Sequence, residues 1–314
     1  MDNLEHFIKA GAIHKQIRHY IQPYLEEGIP IIEIVNRIEY KIQAELPDEL
    51  NGGIGFPTGI SLNNVAAHYT PSKSETRTLK KNDVCKIDYG VHIDGCIVDS
   101  AFTINLDNQY STILEASKEA VDSVIKHIGV DVKFSELGAI SQEIVESYEY
   151  NNKPLKVIDN LCGHTILQWK VHGGKLLHGI PKENDEQIVE DNDVLAIEIF
   201  VSNGNGTCIL DTNTDNYSHY MLKDDTKRIP LFKQKKINVL SEKIKTKFKT
   251  LPFCPRFLDD VYDKPYNYNH NLQTLFNNGI LNSYPPLLET DPNSKVAQFE
   301  HTVFVSENKK LVLS

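Results

Sequence analysis

Four acidic residues stand where strand-forming sequence should be apolar. Asp88 sits in Val84-Cys85-Lys86-Ile87-Asp88-Tyr89 and Asp99 in Cys96-Ile97-Val98-Asp99-Ser100-Ala101-Phe102. Glu198 interrupts Val194-Leu195-Ala196-Ile197-Glu198-Ile199-Phe200-Val201, and Glu300 interrupts Val296-Ala297-Gln298-Phe299-Glu300-His301-Thr302-Val303-Phe304. An ionised carboxylate in a buried strand is costly without a partner. One such residue is often a satisfied core acid or a solvated edge; four together favour a shared cation. His164, in Leu161-Cys162-Gly163-His164-Thr165, supplies a nitrogen ligand and gains weight from its company. Four carboxylates and one imidazole form a hard, oxygen-rich set that suits two carboxylate-bridged divalent metals better than a structural zinc. Such a pair polarises a carbonyl and lowers the pKa of a water between the ions, so hydrolysis is the chemistry it does best.

The elements that carry these acids follow from local pattern. Val84–Ile104 reads as a hairpin around Asp94-Gly95, a strong turn signal. A two-residue turn there puts Asp88 and Asp99 on one face, directly opposite or one step diagonal. The block 192–212 echoes 82–100, with Asn192-Asp193-Val194 answering Asn82-Asp83-Val84 and Gly206-Thr207-Cys208 answering Gly95-Cys96. The echo predicts two related halves, each with an acidic hairpin and a site shared between them. Ile13, Ile17, Ile21 and Tyr24 mark a first helix. Ile31, Val35, Ile38 and Ile42 mark a second after Pro30. Leu114, Val121, Val124 and Ile128 predict a third helix, and Leu137, Ile140, Ile144 and Tyr148 a fourth. Asn51–Gly59 reads as a glycine-rich loop without the ending of a phosphate cradle. Residues 222–282 read as a lysine-rich helical insertion before the last strand, needing no core of their own.

Composition bounds the function. The 314 residues carry 40% hydrophobic and 24% charged side chains, as a globular chain with a real core does. A net charge of −10 argues against a general nucleic-acid-binding protein, DNA included. Five cysteines, spaced without any C-x-x-C, fit a reducing compartment. Met1–Gln16 is charged where a leader would be apolar, and no run is long enough for a membrane span. These features predict a cytoplasmic protein without membrane contact.

The motifs Asn63-Asn64-Val65-Ala66-Ala67-His68-Tyr69-Thr70-Pro71, Lys86-Ile87-Asp88-Tyr89-Gly90, Gly163-His164, Ala196-Ile197-Glu198, Ser218-His219-Tyr220-Met221, Tyr284-Pro285-Pro286 and Ala297-Gln298-Phe299-Glu300-His301-Thr302 together resemble the type 2 methionine aminopeptidases. The resemblance spans nearly the whole chain. It implies a single α/β (α+β) catalytic domain over 1–314 with the pseudo-twofold pita-bread fold: antiparallel sheet, flanking helices and a helical insert at 222–282. It also implies two divalent metal ions (cobalt, manganese, iron or zinc). Asp88 would chelate one metal and Asp99 would bridge both; His164 and Glu198 would complete a shell, and Glu300 would bridge. The implied reaction removes the initiator methionine, ahead of a small second residue, from nascent polypeptide N-termini by metal-activated water. Glu198 would carry the proton, while His68 and His172 would line the site and bind the substrate. Phe56, His219 and Tyr284 match positions around the methionine side chain, although core packing explains the two aromatics nearly as well. His92, His127, His178 and His270 read as surface residues, and His301 either as a support to the residues around the site or as structural. Leu167 stands where the family commonly has glycine, which would narrow the pocket. Between 223 and 249 lie ten basic and three acidic residues. That stretch suits association with the ribosome, and solvated helix faces account for it equally. The alternative reading is a non-catalytic pita-bread protein that binds the ribosome or RNA. Against it, all five ligand positions keep ligating residue types.

Overall fold

Isoleucine spacing builds the first two helices. Helix α1 (Asp2–Ile21) buries Phe7, Ala10, Ile13, Ile17 and Ile21, and α2 (Ile31–Glu45), opened by Pro30, buries Ile31, Ile34, Ile38 and Ile42. Each fully buried isoleucine contributes about 2 kcal/mol of transfer free energy. The computed structural model describes residues 2–46, 50–223, 231–259 and 268–314. Both helices pack on a three-stranded antiparallel sheet of β1 (Gly52–Leu62), β3 (Cys85–Ile93) and β4 (Cys96–Ile104), ordered β1-β3-β4. The short β2 (Val65–Ala67) follows β1. Asp94 and Gly95 close the β3–β4 hairpin with φ of 48° and 78°, the left-handed pair that a two-residue turn requires.

The glycine-rich stretch at 51–59 is a strand, not a loop. Its glycines allow close approach to β3: a Cβ on Gly90 would lie 2.4 Å from the Phe56 ring, and one on Gly55 would meet Gly90 at 3.1 Å. Register shifts around Phe56 bend the strand so that this ring lies across Gly90.

Helices α3 (Ser111–His127) and α4 (Phe134–Glu146) cover the second sheet. Its approach runs through three two-residue strands: β5 (Glu149–Tyr150) pairs with β6 (Lys153–Pro154), and β7 (Lys156–Val157) joins the sheet. The sheet itself comprises β8 (Cys162–Thr165), β9 (Leu176–His178), β10 (Asp193–Ser202), and, from the carboxyl end, β15 (Val296–Ser306) and β16 (Lys309–Val312). Its order is β16-β15-β10-β8-β9. The second acidic hairpin expected from the sequence echo does not form. β11 (Cys208–Leu210) leaves β10 and pairs instead with β14 (Leu287–Glu289), which pairs onward with β2. β10 instead pairs antiparallel along its whole length with β15, and the two strands share the apolar face packed against α3.

The two sheets meet along β4 and β15 through hydroxyl side chains. Asp99 N–H donates to Thr302 Oγ1 at 2.8 Å, and that hydroxyl returns a bond to the Asp99 carbonyl at 2.6 Å. Ser100 Oγ donates to the Glu300 carbonyl at 2.6 Å, and Thr103 Oγ1 to the Gln298 carbonyl at 2.7 Å. Buried backbone groups must be paired, and Ser and Thr pair these where two strands converge without a ladder.

The ribbon of β12 (His219–Leu222) and β13 (Leu281–Tyr284) leads to the inserted segment, which holds α5 (Lys235–Phe248) and α6 (Asn269–Asn277). Contrary to expectation, this segment has its own apolar cluster. Ile237, Leu240, Ile244, Phe253, Leu258, Leu272 and Leu275 close on one another, because the ribbon carries both helices off the two sheets. Within the basic stretch 223–249, Lys243, Lys245, Lys247 and Lys249 are exposed. Residues 224–230 of that stretch, and 260–267 of the insert, lie outside the described residues.

Candidate metal centre

Register places the acids. On the hairpin, Asp88 pairs with Ala101 and Asp99 with Gly90, so the two aspartates are diagonal neighbours on one face. On the second sheet Glu198 faces Glu300 directly. His164 pairs with Ala196, two residues from Glu198, and therefore shares its face. Asp99, His164 and Glu300, exposed by 5%, 4% and 1%, bring ligand atoms within 4.8 Å of one another. Asp88 and Glu198 line the same cavity.

The electrostatics of this cluster call for a cation. Burial pushes Asp88 up to about 7, against a lowering bond from Gln298; burial and then repulsion from Asp88 push Glu198 up to about 8. Burial, followed by the neighbouring carboxylates, raises Asp99 and Glu300 well above the usual range. Burial above all, then repulsion from His172, depresses His164 to about 3, so its ring is neutral. Its Nδ1 lies 3.2 Å from the Thr165 carbonyl, an acceptor, so the proton is assigned to Nδ1. The Nε2 lone pair then faces Asp99 Oδ2 at 3.8 Å. Asp88 Oδ1 is buried without a hydrogen-bond partner. Acceptors converging on acceptors fit divalent metal, and these five residues are the ones that would hold it.

Gln298 escaped the sequence reading. Its amide donates to Glu198 Oε2 at 2.9 Å and to Glu300 Oε2 at 3.4 Å. The available signal was its place two residues before Glu300, on the same strand face.

The cavity encloses about 400 Å³. The structure brings to its walls all ten residues singled out above: Phe56, His68, Asp88, Asp99, His164, His172, Glu198, His219, Tyr284 and Glu300. His68, at φ 64°, lies 6.0 Å from His219 and 5.9 Å from Tyr284 between ring centroids. Burial lowers His68 to about 4 and His219 to about 3, so both are neutral donors or acceptors. His172 crosses His164 edge-on at 4.5 Å and stands 6.1 Å from Tyr284 at the mouth. Cys162, Phe200 and Leu287 also line the cavity without having been anticipated.

Two expectations fail here. Leu167 is 51% exposed and does not line the cavity, because it pairs with Lys170 in an outer turn. His92 is buried rather than superficial: it alternates inward on β3, 5.3 Å from the Trp169 ring, and accepts from Gly95 N–H at 3.3 Å. His178 is half-buried, whereas His127 and His270 are exposed. His301 points away from the cluster, its Nδ1 2.9 Å from Ser314 Oγ.

Comparison with known proteins adds family and fold. Residues 5–307 match metallopeptidase family M24. Over 326 residues, covering all of this chain and 72% of the other, the chain is 42% identical to methionine aminopeptidase 2 of Paracoccidioides brasiliensis. Among solved structures, a thermophilic Arx1 superposes with TM-score 0.85 at 16% identity, covering 100% of this chain and 91% of that one. Methionine aminopeptidase of Thermotoga maritima superposes with TM-score 0.67 at 16% identity, covering 99% and 96%. At such identities the structural likenesses speak for the fold alone.

Proposed function

The chain belongs to metallopeptidase family M24 and has its pita-bread fold, and on that premise we propose that this metal-dependent aminopeptidase removes initiator methionine from nascent proteins and peptides with a small second residue. The observation that carries the reading is the acceptor-only cluster at the cavity floor, where four carboxylates meet a neutral imidazole. We assign it two divalent ions, held by Asp88, Asp99, His164, Glu198 and Glu300. Cobalt, manganese, iron or zinc suits such ligands. When bound, the ions polarise the scissile carbonyl and lower the pKa of water.

The chain's own residues do the rest. Gln298 orients Glu198 and Glu300 through its amide. Glu198, with its raised pKa, takes a proton from water and delivers it to the leaving amine. His68 and His172 hydrogen-bond the substrate carbonyl as charge develops on it. Phe56, His219 and Tyr284 surround the methionine side chain, where thioether–aromatic contacts are favourable. A non-catalytic binding protein would keep this repulsive cluster at a cost in stability and for no return.

The test is methionine release from Met-Gly-Xaa by metal-stripped protein, before and after addition of manganese or cobalt. Release that requires the metal, and fails with Leu-Gly-Xaa, is expected. Folded protein that releases nothing under any metal would overturn the reading.

A further inference from the structure

Beside the cavity mouth runs the end strand of a small sheet, β11, whose far side carries an interrupted row of backbone groups. In the β11–β14 pair, Thr290 N–H donates to the Thr207 carbonyl and Asp211 N–H to the Pro286 carbonyl. Antiparallel pairing alternates. Thr207, Ile209 and Asp211 therefore direct their backbone groups toward β14, while Cys208 and Leu210 direct theirs outward.

The outward groups nearest the cavity are taken by the chain itself. Asp159 N–H donates to the Gly206 carbonyl at 3.0 Å. The Asn160 side chain then imitates a strand: its Nδ2 donates to the Cys208 carbonyl at 2.7 Å, and its Oδ1 accepts from Cys208 N–H at 2.9 Å. At Leu161 and Cys162 the chain turns into the cavity wall and abandons the edge. The next rung, at Leu210, faces outward with no strand beyond it among the described residues.

The side chains agree with the backbone. Leu210 pairs with Leu287, so the two share a face, and Leu287 lines the cavity. Leu210 and Ile209 are each 57% exposed on an edge that would ordinarily be covered or charged. The apolar wall of the cavity thus continues outside it, next to an open rung.

We propose that the open edge of β11 at Leu210 is the exit track of the substrate: the peptide beyond its second residue adds to the sheet as an extended strand and takes the place that Asn160 gives up. The partner is the substrate backbone, so recognition is independent of its sequence, as strand addition allows. The proposal rests on the aminopeptidase reading and extends it from the first two residues to the chain that follows.

The experiment compares kcat/KM for Met-Gly-Ser with that for Met-Gly-Ser-Val-Thr-Val, and for versions of the hexapeptide in which one amide after the second residue is replaced by an ester. Two hydrogen bonds at Leu210 correspond to an advantage of about tenfold for the longer peptide. One ester position is expected to remove most of it, with the protein unaltered. In Leu210→Pro, which deletes the outward N–H, the long-to-short ratio is expected to fall toward one. Release of methionine with no dependence on length, or a dependence indifferent to every ester and to Leu210→Pro, overturns the exit track alone. No release from any peptide overturns it together with the aminopeptidase reading.

Discussion

The two halves of the molecule solve one problem differently. Each sets a pair of acids on antiparallel strands backed by a helix, and in each the residue after an acid is tied to that helix. Behind β3, the His14 ring of α1 stacks on Tyr89 at 4.0 Å, its Nε2 lies 3.0 Å from the Tyr89 carbonyl, and the Tyr89 hydroxyl donates to the His14 carbonyl. Behind β10, Ser117 of α3 donates to the Ile199 carbonyl at 2.7 Å and accepts from Phe299 N–H at 3.0 Å. In the first half the acids are diagonal, eleven residues apart in sequence, and joined by a two-residue turn. In the second they are directly opposed, separated by the whole insert, and moderated by the Gln298 amide. Directly opposed like charges are the least favourable cross-strand arrangement, so the second pair depends more heavily on its surroundings.

The largest effect comes from breaking the joint between the halves. Asp99→Ala and His164→Ala are each expected to reduce methionine release by about a thousandfold or more, since several kcal/mol of Lewis-acid stabilisation go with the metal. Circular dichroism should show a folded protein in both cases. Activity retained in either variant would remove that residue from the site.

A smaller loss isolates the second pair. Gln298→Leu removes the donor shared by Glu198 and Glu300 while leaving every ligand in place. Loss of such an orienting partner typically costs about 10–100-fold in metal affinity. Titration calorimetry with manganese measures it; an unchanged affinity would mean that the glutamates hold their positions without the amide.

The smallest effect separates the two helix clamps by pH. Burial lowers His14 to about 3. Between pH 6.5 and 3 the unfolded chain therefore holds a proton that the folded chain lacks, and stability falls as pH falls through that window. His14→Gln, which keeps a donor for the Tyr89 carbonyl, is expected to lose about 1.6 kcal/mol less than the parent between pH 6.5 and 5. Ser117→Ala is expected to cost about 1–2 kcal/mol at both pH values, because the lost hydroxyl does not titrate in this range. Denaturant unfolding at the two pH values measures both. A parallel pH response in the two variants would erase the distinction between the clamps.

Much of this arrangement was legible in the sequence where its cause was local. Isoleucine period gave α1 and α2, and Asp94-Gly95 gave the hairpin, because left-handed backbone at a two-residue turn is a property of those two residues. Other features depended on distant partners. Asn51–Gly59 looked like a loop because its glycines answer Gly90, His92 and Ile97 on the neighbouring strands rather than their sequence neighbours. The echo at 206–212 resembled a returning strand, yet β11 found β14, some eighty residues further on.

By itself, then, the sequence determined the candidate ligands, their placement on strands, the shared face of Asp88 and Asp99, and the family; their diagonal register came from the folded hairpin. Tertiary structure alone decided that Glu198 faces Glu300, that Gln298 bonds both, and that β11 presents an open edge beside the cavity. The physical reason is the range of the interactions. A turn fixes register through the dihedral angles of two residues, whereas pairing across a hundred residues is chosen by which apolar faces bury each other best.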